Sequence, residues 1–223
     1  MAKDILPAWN QAYRIINSAF PPVDVFEDTL DPADLELAFA IEALTNERLL
    51  DQAGVISRVP AADRISGPGS TPIMAAFTHI GRPSRFTDGS YGVYYAASSI
   101  EAAIAETRHH QELFWRATRQ PSIEVTLRTY INRVLQPMVD VRREEALHAA
   151  DDYCAAQAAG ARHREAGAWG LLYRSVRCAG HECVAVLRPP ALSPATQGPH
   201  FRYLWDGKEQ RFSYTLEIRQ VHA

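Results

Sequence analysis

Short segments in which apolar and polar residues alternate, or which are apolar throughout, predict β-strands along most of the chain. The segment GVYYAA at 92–97 is one of them. Because side chains alternate across a strand, this segment should direct Tyr94 and Tyr95 to opposite faces of a sheet. The other predicted strands lie at 122–130, 168–177, 182–189 and in a hairpin over 201–218 that turns at Asp206-Gly207.

Capping signals and helical spacing predict two helices within this strand-rich region. The sequence SSIE at 98–101 matches a capping box, so a helix should begin near its second serine and run to about Arg116. Glu106 then lies at the border of the apolar face, where a carboxylate can lean over a neighbouring cleft. The Ala-rich segment 151–167 predicts a second helix that ends at its final glycine.

The first quarter of the chain has a different pattern. Apolar residues recur at helical spacing after Asp31, a plausible N-cap followed by proline, and we predict a helical N-terminal extension over residues 1–52. The Gly- and Pro-rich residues 53–92 are predicted to be irregular, and long loops of this kind are often functional. The fold class is therefore α+β, with the extension followed by one domain over 53–223.

Composition and charge exclude several partners. The chain has 223 residues, of which 47% are hydrophobic, and a net charge of −3, which gives no global attraction to nucleic acid or anionic membranes. We expect no direct nucleic-acid partner, since no basic stripe is interleaved with aromatic residues. We also expect no membrane association, because no apolar run approaches the roughly 18–20 residues of a span.

Cysteine and histidine usage bounds the chemistry further. Three scattered cysteines suit a reducing compartment, and the first residues lack the apolar core of a signal peptide, so a cytoplasmic location is predicted. The histidines show neither HxxxH nor HExxH spacing, and we predict no metal site.

Residues 85–106 place an arginine, two tyrosines and a glutamate in one short segment. Arg85 and, earlier in the chain, Arg64 lie in Gly- and Pro-containing loops, and a guanidinium suits a phosphate-bearing ligand. A tyrosine at a pocket wall can stack on a planar ring, and a carboxylate such as Glu106 can stabilise an oxocarbenium ion. The alternative is ordinary: solvated loop charges, core tyrosines and an exposed helical carboxylate.

Ser175 follows the apolar segment WGLLY at 169–173, at the end of the strand predicted there. It lacks the GxSxG context of a hydrolase nucleophile, so a role as a hydroxyl donor to a ligand is the better functional interpretation.

Several of these segments, in this order, resemble the RES domain family, which is named for Arg, Glu and Ser positions. The resemblance runs from about Arg64 to Trp205 and rests first on SRFTDGSYGVYYAASSIEAAIAE. It continues with GLLYRSVR, ECVAVLRP and ALSPATQGPHFRYLWDG. The chain departs from the family pattern at Ser84, where glycine is familiar, and at Phe86, where tryptophan is usual.

The resemblance implies both a fold and an activity. RES proteins are toxins of type II toxin–antitoxin pairs, so it implies a hetero-oligomer with an Xre-like antitoxin. Their fold resembles that of ADP-ribosyltransferase toxins, which implies a core of short, mostly antiparallel strands with flanking helices. They consume NAD⁺, which would be a substrate here. Carried over to this sequence, the implied catalytic residues are Glu106, Arg85 and Tyr95. The implied binding residues are Arg64, Arg85, Tyr95 and Ser175, with Tyr94 as an adjacent candidate and Arg58 as an alternative to Arg64.

The acceptor of the ADP-ribose group is open. We favour a protein acceptor, because the N-terminal extension could recruit a target. With water or phosphate as acceptor, the enzyme would only deplete NAD⁺. An interpretation of a different class is a non-catalytic module that acts through a protein partner.

Overall fold

Nine strands of alternating or apolar sequence pair into one sheet in the described residues, 3–18 and 54–219, of the computed structural model. They are β1 Asp4–Ile5, β2 Ala12–Asn17, β3 Tyr94–Ala97, β4 Ile123–Asn132, β5 Met138–Asp140, β6 Gly170–Arg174, β7 Glu182–Val186, β8 Thr196–Asp206 and β9 Arg211–Ile218. Their order across the sheet is β1-β5-β6-β7-β3-β2-β4-β8-β9. All neighbouring strands are antiparallel except β5 and β6, which are parallel. The prediction of an α+β fold with mostly antiparallel strands is confirmed.

Three helices accompany the sheet in this described part of the chain: α1 Thr71–Thr78, α2 Ile100–Thr118 and α3 Cys154–Glu165. The predicted start of α2 is confirmed, since Ser99 is its N-cap and accepts a 3.2 Å hydrogen bond from the Ala102 N–H. The helix α3 stops just before Gly167, whose φ of +77° is a left-handed conformation that favours glycine. Residues 54–219 also contain four 3₁₀ turns: Ile56–Arg58, Ala61–Asp63, Glu145–His148 and Pro189–Ala191.

The sheet separates two hydrophobic cores. On the front face, side chains such as Val93 and Leu127 pack with small residues of α2 and α3. On the back face, Tyr94 packs with Ile73 and Phe77 of α1. Tyr95 contacts the front core, so the predicted alternation of the two tyrosines is confirmed. Each fully buried apolar side chain contributes about 1.5–3 kcal/mol relative to an exposed one.

The prediction of a helical extension is wrong for residues 3–18. These residues form β1 and β2, and β2 lies between β3 and β4 in the middle of the sheet, where β-branched and aromatic side chains such as Tyr13 and Ile15 are favoured. Residues 3–18 thus belong to the sheet of the predicted second domain. The helix predicted after Asp31 lies outside the described residues.

The prediction that residues 53–92 are irregular missed α1. Its second residue is Pro72, which a helix tolerates in the first turn because that backbone nitrogen has no intrahelical partner. Glycines and prolines on both sides of this one short helix concealed it. The remainder of the segment consists of loops and two of the 3₁₀ turns.

Candidate functional site

A hydrogen bond joins Glu106 to Ser175 on the front face of the sheet. Ser175 Oγ donates to Glu106 Oε1 at 2.7 Å, across 69 positions of sequence. Ser175 is only 7% exposed and accepts a 3.0 Å hydrogen bond from the Cys178 N–H, so the turn after β6 fixes its hydroxyl. Among the described residues Ser175 is the one hydrogen-bond partner of the Glu106 side chain. The second carboxylate oxygen is therefore available to a ligand.

The Glu106 carboxylate lies where the helical pattern predicts it. Ala102 and Ala103 are buried on the side of α2 that packs against the sheet. Glu106 lies at the border of that side and is half-buried. The helix thus presents an acidic group to the end of β6 while keeping its packing.

The Tyr95 hydroxyl ties β3 to the loop 84–89. It is 2.8 Å from Ser84 Oγ and accepts a 2.9 Å hydrogen bond from the Phe86 N–H. Burial raises the pKa of Tyr95 to about 12, although both hydrogen bonds act in the opposite direction, so the phenol is neutral at physiological pH. Serine in place of the familiar glycine at 84 supplies one of these hydroxyl contacts.

Arg85 is buried and its side chain hydrogen-bonds to the turn at residues 147–149, a contact named the Arg85 clamp. Its Nη1 donates to the carbonyl oxygens of Leu147 at 3.1 Å and Ala149 at 2.8 Å, and its guanidinium lies 4.6 Å from the ring centroid of Tyr153. The other guanidinium nitrogens make no hydrogen bond to a described residue. Arg85 is thus a structural anchor with part of its donor set unused.

The sequence did not identify Tyr173 and Cys183, two further residues of the front face, as candidate site residues. Tyr173 packs edge-to-face on Phe86 with ring centroids 5.0 Å apart, and burial raises its pKa, an effect that Glu106 reinforces. Burial likewise raises the pKa of Cys183, and the nearby Glu106 carboxylate adds to this effect. The signal for Tyr173 was available, because it precedes Ser175 by two positions at the end of one strand.

His148, also missed, lies beside the Arg85 clamp in a defined tautomer. Its Nδ1 is 2.9 Å from the Glu144 carbonyl oxygen, and its Nε2 accepts a 3.1 Å hydrogen bond from the Arg174 N–H. Since a carbonyl only accepts, Nδ1 carries the proton and the ring is neutral. Burial and the charges of Arg174 and Arg85 lower the pKa of His148.

Tyr94, Arg58 and Arg64 do not join this cluster. Tyr94 is fully buried on the back face, where its hydroxyl donates to Asn132 Oδ1 and burial raises its pKa. Arg58 is exposed and lines a separate small cavity. Arg64 is buried, and its Nε donates at 3.0 Å to the carbonyl of Val59, a residue of the back core.

Arg14 on β2 was not considered from the sequence. Its guanidinium lies 4.5 Å from the ring centroid of Tyr94, and its Nη1 donates at 3.2 Å to the carbonyl oxygen of Tyr95. Its buried Nε has no hydrogen-bond partner among the described residues, and burial lowers its pKa. The strand assignment of 12–17 was needed to see that this arginine lies beside the two tyrosines.

A groove of about 1210 Å³ opens beside Ser175. Arg142 stabilises its wall through a bidentate ion pair with Asp140 and a single-contact ion pair with Glu182. Trp9 adds a 3.0 Å hydrogen bond to Glu182. The groove therefore reaches Ser175, the hydrogen-bond partner of Glu106, whereas Glu106 itself does not line it.

The described residues contain no group of three or more histidine, cysteine or acidic side chains arranged to hold a metal ion. No helix in this part of the chain combines the length and apolar character needed to cross a membrane.

Comparison with known proteins identifies relatives of the chain. The model of the RES domain family matches residues 61–206, about two thirds of the sequence. The uncharacterized protein y4oC of Sinorhizobium fredii is 27% identical over 211 residues, covering 93% of this chain and 88% of that protein. A chain in the crystal structure of the M. tuberculosis MbcT–MbcA toxin–antitoxin complex is 12% identical, with a TM-score of 0.42 over 96% of this chain and 87% of that one.

Proposed function

Because the chain belongs to the RES domain family, we propose that it is the toxin of a toxin–antitoxin pair and an NAD⁺-consuming enzyme. It cleaves the nicotinamide–ribose bond and transfers ADP-ribose to a protein acceptor, on a core that we propose to be ADP-ribosyltransferase-like. One observation carries the proposal: the 2.7 Å hydrogen bond between Ser175 and Glu106. It unites the two residues to which the family resemblance assigns the pocket and catalysis.

Glu106 supplies the chemistry of bond cleavage. Ser175 holds one carboxylate oxygen, and the other accepts a hydrogen bond from a ribose hydroxyl. As the bond breaks, its electron pair leaves with the nicotinamide nitrogen and positive charge develops on the ribose carbon. The fixed carboxylate stabilises that charge more than it stabilises the ground state, which lowers the barrier. The acceptor then attacks the ribose carbon and loses its proton.

Tyr95 and Arg85 shape the binding region around this carboxylate. Tyr95 is neutral, so its ring stacks on the nicotinamide without adding a charge that would oppose the developing cation. The unused nitrogens of Arg85 face the ribose and phosphate side of the ligand. Tyr94, Arg58 and Arg64, which lie toward the back face, are not needed for this chemistry.

The proposed partner is an Xre-like antitoxin in a hetero-oligomer. A partner segment seated in the groove would cover Ser175, the hydrogen-bond partner of Glu106. We also propose that the toxin acts in the cytoplasm, which its free cysteines suit.

Incubation of the purified chain with NAD⁺ labelled on the adenylate side, with and without cell lysate, tests the proposal. The expected result is label on a protein band with the wild type and none with Glu106→Gln. Glu101→Gln is a matched control, because it removes the same charge from an exposed position of the same helix.

The other outcomes separate the alternatives. Free ADP-ribose or its phosphate without labelled protein would make the chain an NAD⁺-degrading enzyme with water or phosphate as acceptor. Intact NAD⁺ under every condition would contradict catalysis and favour a binding module.

A further inference from the structure

We propose that this chain has a second ligand site, which binds a phosphate group at an arginine pocket separate from the Glu106 cluster. The pocket is a cavity of about 230 Å³ lined by Arg58, Arg164 and Arg188. Arg58 ends the first 3₁₀ turn, Arg164 lies in the last turn of α3, and Arg188 precedes the last 3₁₀ turn. Three distant parts of the sequence thus bring guanidinium groups to one small space.

Two of the three arginines make no ion pair or side-chain hydrogen bond with a described residue. Arg164 lies 4.8 Å from the ring centroid of Tyr91, which orients its guanidinium through a cation–π contact. Arg58 is exposed. In the described part of the chain, neither side chain has an ion-pair or hydrogen-bond partner, so their donors are free for an anion.

Arg188 is held in place by groups that the ligand need not displace. Its guanidinium lies 4.0 Å from the ring centroid of Trp169 and makes a bidentate ion pair with Asp63, with contacts of 2.9 Å and 2.6 Å. Asp63 is 7% exposed and is the acidic residue in the pocket wall. The lining therefore carries three positive charges and one negative charge, a net charge of +2.

The size and walls of the cavity select a small anion. At about 230 Å³ it is smaller than the roughly 300–1,000 Å³ of pockets for drug-sized ligands, so it suits one phosphate group better than a dinucleotide. Phe77, Leu187 and two prolines form apolar walls, which weaken dielectric screening and strengthen attraction to the arginines. Guanidinium forks match the geometry of phosphate oxygens. The ligand class is inorganic phosphate or a phosphate monoester.

The pocket shares no lining residue with the Glu106 cluster, so this inference does not rest on the proposed NAD⁺ reaction. The two regions are nevertheless linked. Tyr91, which lies under Arg164, donates a 2.6 Å hydrogen bond to the Phe86 carbonyl in the loop that carries Arg85. Tyr91 is therefore in contact with both the arginine pocket and that loop.

Titration calorimetry in phosphate-free buffer tests the site, with inorganic phosphate as the probe. We expect saturable binding to the wild type and a dissociation constant at least about tenfold higher for Arg164→Gln and for Arg58→Gln, since each removes a charge-assisted contact. Arg162→Gln should bind like the wild type, because Arg162 is exposed on the same helix but does not line the pocket. Thermal denaturation of each variant checks that the fold is retained.

Further binding measurements identify the class of phosphate ligand and test whether the pocket is independent of Glu106. Tighter binding of glucose 6-phosphate or AMP than of inorganic phosphate would establish a monoester as the ligand. Glu106→Gln should bind phosphate like the wild type even if NAD⁺ is never consumed. Absence of saturable binding, equal binding by Arg164→Gln and wild type, or loss of binding in Glu106→Gln would overturn the proposal.

Discussion

The two faces of the sheet use neighbouring tyrosines in opposite ways. On the back face, Tyr94 donates to Asn132, which in turn donates at 2.7 Å to the Ser193 carbonyl, so this chain of hydrogen bonds is closed inside the core. On the front face, Tyr95 holds a loop, and the nearby Glu106 keeps one carboxylate oxygen unbonded to any described residue. A fully satisfied polar network stabilises a fold, whereas a polar group with an unused acceptor can bind a ligand.

The largest expected difference between the faces concerns activity. Glu106→Gln should lower the rate of NAD⁺ consumption by about a hundredfold or more, because it removes the charge that stabilises the transition state. Nicotinamide release, followed by chromatography, measures this rate. Glu101→Gln should leave the rate within about twofold of the wild type, and a similar loss in both variants would contradict the role of Glu106.

A glycine on α3 tests how the front face holds its loop. A Cβ at position 160 would lie 2.1 Å from the Phe86 carbonyl oxygen, so Gly160→Ala must push the helix away from the loop 84–89. We expect a loss of about 1–3 kcal/mol in the free energy of unfolding, measured by urea denaturation, together with reduced activity. Gly198→Ala is the control, since its Cβ would meet a flexible side chain, Ile131, at 3.0 Å. Equal stability of the two variants would contradict close packing at Gly160.

Removing the hydroxyl group from each of the two tyrosines compares the two faces of the sheet directly. Tyr94→Phe should lower the free energy of unfolding by about 1–3 kcal/mol, because Asn132 loses a buried partner, and should leave activity unchanged. Tyr95→Phe should reduce activity as well, because the loop that carries Arg85 loses its anchor. Urea denaturation and the nicotinamide assay measure the two quantities. Loss of activity in Tyr94→Phe alone would reverse the assignment of the faces.

The smallest expected effect is the pH dependence contributed by His148. Its folded-state pKa lies below the ordinary value of 6.5, so its stabilising contribution is complete above about pH 6.5 and is lost as the pH falls through the folded-state pKa. Arg174 and Arg85 lower this pKa, while Glu145 and the Glu144 carbonyl raise it.

Thermal denaturation at pH 7.5 and pH 5.5 checks this prediction. His148→Gln should show a smaller drop in Tm than the wild type, by roughly one to two degrees. An identical drop in both proteins would mean that His148 does not contribute.

The sequence predicted those elements that have local signals. The capping serine located α2, and the alternation of 92–97 predicted which face each tyrosine occupies. The turn at Asp206-Gly207 located the hairpin of β8 and β9. By contrast, β2 has its partners in β3 and β4, far along the chain, so no local pattern revealed it.

The candidate site was predictable in part for the same reason. Family resemblance singled out Glu106 and Ser175, which the fold brings within 2.7 Å. It did not single out Tyr173 or His148, whose importance depends on contacts made only after folding. The clamp by which Arg85 holds the carbonyls on either side of His148 is likewise a long-range contact without a sequence motif.

The central position of β2 also determines how long this strand must remain incompletely paired during translation. Ala12 pairs with Asn132, and a ribosome that adds about 5–20 residues per second separates their emergence by roughly 6 to 24 s. During this interval β2 lacks its β4 neighbour, and Ser175 has not been made. We therefore expect nascent chains, and chains truncated before Ser175, to be inactive in the proposed reaction, because the Glu106–Ser175 pair does not yet exist.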